Sequence, residues 1–128
     1  MAYIPDRGDV VWISLDPQAG HEQSGHRPVL VLSPASYNGK VGLMLCCPIT
    51  SQVKNYPFEV VIRDNPQVSG VVLADQVKSL DWQARCANKK GKVSRAVLDE
   101  TLNKLKVVIE DKGGDRERGI SEFTEYYR

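Results

Sequence analysis

The sequence predicts a mainly β domain: a small, strongly bent sheet or barrel with one helix packed on it near the C-terminus. Two features predict this class. Short runs of β-branched and aromatic residues recur from residue 9 onward, separated by Gly, Pro, Asn and Asp. The apolar period then changes from strand-like to helical over residues 94–110. At 128 residues and 14.3 kDa the chain has room for one domain and one core.

The first strand is expected in "DVVWISLD" (9–16), which follows Gly8 and ends at Asp16-Pro17. The near-continuous apolar run "PVLVLS" (28–33) reads as a buried strand stopped by Ser33-Pro34. In "YNGK" (37–40), Asn38-Gly39 is a strong tight-turn signal. It leads into a third strand, "VGLMLCCPIT" (41–50), closed near Pro48. "FEVVI" (58–62) and "GVVLAD" (70–75) follow, and a last pair of short strands is expected in "VKSLD" and "QARCA". Leu98, Leu102, Leu105 and Ile109 are spaced four, three and four apart, one face of a helix. Ser94 is its expected N-cap and Gly113-Gly114 its stop. Residues 1–110 thus form one domain, and 111–128 a tail of unassigned role whose Ile120, Phe123, Tyr126 and Tyr127 suit one face of a short helix.

Net charge is +1, so no global basic signature of a nucleic-acid binder is present. Arg85, Lys89, Lys90, Lys92 and Arg95 nevertheless occur with no acid among them, either a local basic surface or a solvated lysine loop. Cys46, Cys47 and Cys86 make an odd set without a C-x-x-C pair, which suggests neither a disulfide framework nor a zinc site. The opening "MAYIPDRGDV" has no apolar core of a signal peptide, and no segment approaches the roughly 18 apolar residues of a membrane span. A cytoplasmic protein is expected.

Three polar groups stand at expected strand ends: Glu22, His26 and Arg27; Thr50, Ser51, Gln52 and Lys54; and Asp75, Gln76, Lys78 and Ser79. A guanidinium suits a phosphate through bidentate, charge-assisted hydrogen bonds. Glu or His can move a proton, and a Thr hydroxyl can donate to a phosphoryl oxygen. These are parts for cleaving RNA without a metal. The same residues also suit plainer roles. Arg27 could pair with Asp75 or Glu59, Thr50 could cap a strand, and Asp75 could satisfy turn amides. His21, Glu22 and His26 do not have the spacing of a helical zinc pair.

Taken in order, "GHEQSGHRPVLVLSP", "YNGK", "CPITSQVKNYPFEVV" and "GVVLADQVKSLDW" closely resemble the MazF/PemK family, toxin halves of bacterial toxin–antitoxin pairs, over about Tyr3 to Ile109. The strongest similarity is to the chromosomal MazF branch. The resemblance implies an SH3-like β-barrel of the MazF/PemK/CcdB type with a C-terminal helix, working as a homodimer without a metal or other cofactor. It implies a sequence-specific endoribonuclease acting on single-stranded mRNA, leaving 2′,3′-cyclic phosphate and 5′-hydroxyl ends and held in check by an acidic antitoxin.

By matching motifs, Arg27 and Thr50 correspond to the family's catalytic arginine and threonine, and Glu22 to the acidic residue of the same loop. Because an arginine scarcely deprotonates, Glu22 is the preferred proton carrier. His26, Lys54, Gln76, Lys78 and Ser79 are expected RNA contacts. The PemK branch has an arginine two residues before the matching aspartate, but Leu73 stands there, so Asp75 is a secondary candidate, grouped with the RNA contacts. Two alternatives share the fold: a gyrase-directed CcdB-type toxin and an inactive binding barrel. CcdB-type chains carry a tryptophan near the C-terminus, whereas the last one here is Trp82.

Overall fold

A computed structural model describes residues 3–14, 26–63 and 65–110. Its elements are β1 (Asp9–Ser14), β2 (His26–Val31), α1 (Ala35–Val41), β3 (Leu43–Thr50), β4 (Glu59–Val61), β5 (Val71–Leu73), β6 (Lys78–Asp81), β7 (Asn88–Lys92) and α2 (Arg95–Ile109). The strands make one antiparallel sheet in the order β4-β5-β3-β2-β1-β7, with β6 also on β3. The mainly β class with a C-terminal helix is as expected, but the sheet is not closed: β4 and β7 remain its ends among the described residues.

Strand β3 is the pivot. One edge pairs with β2, while the other pairs first with β6 through Cys46↔Lys78 and then with β5 from Ile49↔Val72. Pro48 does not end the strand. It falls at the handover between β6 and β5, where its missing N–H interrupts neither ladder.

Both faces of the sheet are buried, which explains why its strands read as unbroken apolar runs. Val10, Leu30, Cys47, Ile49 and Val72 pack with α2, and Val11, Ile13, Val29, Val31, Met44 and Cys46 pack with Trp82 on the other face. The adjacent Cys46 and Cys47 therefore belong to opposite faces. Both are buried free thiols, and Cys86 is an exposed one.

Ser94 caps α2 by accepting from the Val97 amide at 3.2 Å. The buried stripe of α2 is Val97, Leu98, Thr101 and Leu105, rotated from the expected one: Ile109 is 67% exposed and Thr101 is fully buried, its hydroxyl donating to the Val97 carbonyl at 2.9 Å. Fully burying a Val or Leu side chain contributes about 1.5–3 kcal/mol, so Val97, Leu98 and Leu105 suffice to fix the helix. The expected Gly113-Gly114 stop and the tail lie outside the described residues.

Two expectations fail. The Asn38-Gly39 turn is instead the middle of α1, and the left-handed residue is Gly42, at φ 84°. Asn38 is fully buried. Its Nδ2 donates to the carbonyls of Pro5 (2.8 Å) and Ser33 (3.0 Å), and its Oδ1 accepts from the Ser33 hydroxyl at 2.6 Å. Its main-chain oxygen accepts the Trp82 indole N–H at 2.9 Å. These long-range bonds override the local turn preference. "QARCA" is likewise not a strand, because the Asp81 carboxylate accepts the Gln83 and Ala84 amides and turns the chain. The seventh strand forms in the lysine-rich "NKKGK", which pairs with β1.

Candidate active site

Arg27 lies on β2 directly across from Ile13 of β1. The β2–β3 register runs Val31↔Cys46, Leu30↔Cys47, Val29↔Pro48; continued by two residues, it sets Arg27 opposite Thr50. Alternation places both on the face of Ile13, Val29 and Cys46, beyond the edge of the apolar cluster there. Lys78 pairs with Cys46 from the other side. Burial pushes the Cys46 thiol up to about 12, and the nearby charges of Lys78 and Arg85 work against that rise. Two cations, Lys78 and Arg85, therefore act on this face at Cys46, which pairs with Val31, four residues along β2 from Arg27.

Arg85 is held there by its own backbone. Its carbonyl accepts the Ser14 amide at 2.8 Å, and its Nη1 donates to the Ser14 carbonyl at 3.4 Å. Sequence reasoning saw Arg85 only as one of a basic run. Its place near Cys46 depends on the Asp81 turn, which no local pattern in "QARCA" announces.

Thr50 is half-buried and anchored. Its Oγ1 accepts the Gln52 amide at 3.1 Å, so the strand-end capping role is real, and its hydroxyl hydrogen remains able to donate to a phosphoryl oxygen. Opposite it, Gly70 has φ +115°, and a Cβ there would lie 2.5 Å from the Thr50 carbonyl oxygen. Only glycine permits this approach of β5 to Thr50.

The remaining predicted residues divide. Lys78, Gln76 and Ser79 are exposed at or beside β6, and Lys54 is exposed in the 51–57 loop, its amide donating to Glu59 Oε2 at 2.9 Å. His26 is exposed, but alternation along β2 sends it to the opposite face from Arg27. There it lines a surface pocket of about 870 Å³ with Trp12, Cys86, Ala87 and Asn88. Asp75 forms no hydrogen bond or ion pair with Arg27 among the described residues. Its Oδ2 accepts the Tyr56 hydroxyl, its Oδ1 is buried without a partner among the described residues, and its charge acts on Cys47, a residue of the α2-side face. No ion pair of Arg27 with Asp75 or Glu59 forms among the described residues. Glu22 and His21 lie outside them. No three His, Cys, Asp or Glu side chains converge as a metal site among the described residues.

An antiparallel sheet whose register sets an arginine level with a threonine on one face offers a guanidinium and a hydroxyl, groups suited to a phosphodiester. The family model for the PemK-like, MazF-like toxin of type II toxin-antitoxin systems matches residues 6–109, and the chain belongs to that family. It is 52% identical over 107 residues to the endoribonuclease toxin MazF of Escherichia coli K12, spanning 84% of this chain and 96% of that protein. Identity to the Escherichia coli endoribonuclease PemK is lower, 34% over 108 residues and 81% of each chain. The fold matches MazF of Deinococcus radiodurans, crystallised with MazE, with a TM-score of 0.81 at 51% identity, covering 87% of this chain and all of that one. These relatives support the ribonuclease reading over the gyrase-directed one.

Proposed function

We propose that this chain is the toxin of a toxin–antitoxin pair, a sequence-specific endoribonuclease that cuts single-stranded mRNA without a metal and so stops translation and growth. The observation that carries the reading is the register that levels Arg27 with Thr50 on one face of the sheet, in a chain half identical to an endoribonuclease.

In the reaction, a base takes the ribose 2′-hydroxyl proton and the 2′-oxygen attacks the adjacent phosphorus. The resulting phosphorane gains negative charge, which Arg27 stabilises as a permanent cation while the Thr50 hydroxyl donates to a phosphoryl oxygen. The P–O5′ bond then breaks and the leaving 5′-oxygen takes up a proton, giving 2′,3′-cyclic phosphate and 5′-hydroxyl ends. Glu22 is assigned the proton transfer. Lys54, Gln76, Lys78 and Ser79 hold the RNA backbone, with Arg85 beside them.

The toxin works in the cytoplasm as a homodimer. Tyr37, Leu45, Val77 and Ile109 are exposed and line an apolar groove of about 480 Å³ with Leu102 and Leu105. Such a surface supports contact with a second polypeptide. An acidic antitoxin complements the cation at Arg27, and the MazE–MazF structure supports such a partner.

The test is incubation with defined single-stranded RNA in excess EDTA, with ends mapped by primer extension and phosphatase sensitivity. Cleavage at discrete sites, lost in Arg27→Ala, is expected. Intact RNA at high enzyme concentration, with the fold confirmed, would overturn the reading.

A further inference from the structure

The pocket on the opposite face from Arg27 has its own chemistry. Trp12 of β1 stands across from Asn88 of β7, and His26 lies beside them on β2. The Trp12 indole is half-buried in the sheet, so its ring is a fixed platform. Lys89 and Lys92 are drawn to the buried Asp9 carboxylate, at 3.6 and 3.5 Å. Lys90, projecting the other way from Lys89, instead places its Nζ 4.6 Å from the Trp12 ring centroid. The side chains of Asn88 and His26 are exposed and make no hydrogen bond among the described residues.

We propose that this pocket is a nucleobase subsite, in which an unstacked base of the RNA stacks on Trp12 and presents its edge to the Asn88 amide. The proposal rests on the RNA-cleaving reading above. Single-stranded RNA is read through splayed bases stacked on aromatic rings and hydrogen-bonded along their edges, and an amide supplies both donor and acceptor. The Lys90 ammonium lies over one face of the Trp12 ring, so the base stacks on the other face and the ammonium meets the phosphate that accompanies it. A volume of about 870 Å³ falls within the range of small-ligand sites and admits a nucleotide. His26 and Arg27 are consecutive, so the subsite serves a base close to the cleaved phosphate, the RNA crossing the end of β2.

Two tryptophans make the test direct. Trp82 is 7% exposed with its N–H bonded to Asn38, so a stacking base is reported by Trp12. The protein is titrated with a single-stranded 2′-O-methyl oligoribonucleotide, which cannot supply the attacking hydroxyl, and with an abasic oligomer of equal length. Quenching by the first and not the second is expected, and it should vanish in Trp12→Phe, where only Trp82 reports. In cleavage assays, Trp12→Ala and Asn88→Ala should each raise KM roughly tenfold with kcat changed much less, as loss of one stacked or bonded base predicts. Equal or absent quenching by both oligomers, or unchanged KM and cleavage sites in folded Trp12→Ala, would overturn the subsite. Base-dependent quenching by a wild-type protein that cuts no RNA would uphold the subsite and sink the nuclease reading instead.

Discussion

Replacing Asn38 by alanine tests whether tertiary hydrogen bonds, rather than local propensity, hold the 35–41 segment in a helix. The side chain makes three buried hydrogen bonds, to the carbonyls of Pro5 and Ser33 and with the Ser33 hydroxyl. Truncation strands all three partners, and each buried group left unpaired costs about 1–3 kcal/mol. The Ser33 oxygen keeps the Leu45 amide at 2.9 Å while its hydroxyl hydrogen loses its acceptor, and the low end of that range for each of the three gives about 3 kcal/mol. Alanine is the better helix former by about 0.6 kcal/mol, which offsets part of the loss. The main-chain oxygen still accepts from Trp82 and from the Gly42 amide. The net expectation is a destabilisation of about 2.4 kcal/mol. Urea unfolding at fixed protein concentration reads it as a lower midpoint at unchanged slope. A loss below about 1 kcal/mol would show that the segment is helical by its own preference and refute the reasoning.

Two further perturbations follow from the same structure. Gly70→Ala forces a Cβ to 2.5 Å from the Thr50 carbonyl oxygen at φ +115°, so cleavage should fall more than about tenfold and stability by roughly 1–3 kcal/mol; unchanged cleavage would mean that Thr50 is not positioned by β5. At pH 8 a thiol reagent should label Cys86 alone in the folded protein and all three cysteines after denaturation, because burial pushes Cys46 and Cys47 up to about 12. Those raised values mean that the folded state keeps protons the unfolded chain releases above about pH 8.5. Stability is therefore full below that pH and declines as pH rises toward 12, and a flat unfolding midpoint from pH 8 to 10.5 would contradict the burial.

Strand and helix positions were legible where a face is buried, since alternation and the 3.6 period are consequences of burial. Even there the α2 stripe was rotated, because a threonine that bonds its own helix carbonyl can be buried as readily as a leucine. What stayed illegible were segments whose conformation is set from far along the chain. Asn38 is held by Pro5 and Trp82, and β7 by an edge of β1. Among the candidate residues, Arg27 and Thr50 share a face, whereas His26 takes the opposite one and Asp75 forms no hydrogen bond or ion pair with Arg27 among the described residues.

By itself the sequence determined the β class, the capped C-terminal helix and, through motif resemblance, the family, because each depends on residues close together or in fixed order. Only the tertiary structure decided that β4 and β7 stay apart as ends of the sheet among the described residues, that the β2–β3 register levels Arg27 with Thr50, that Arg85 lies near Cys46 and that Trp12 lines a separate pocket. Each of those depends on strand register, and register is set when two faces are buried at once: a slip of one residue would send Arg27 and Thr50 to the wrong face and expose half the core.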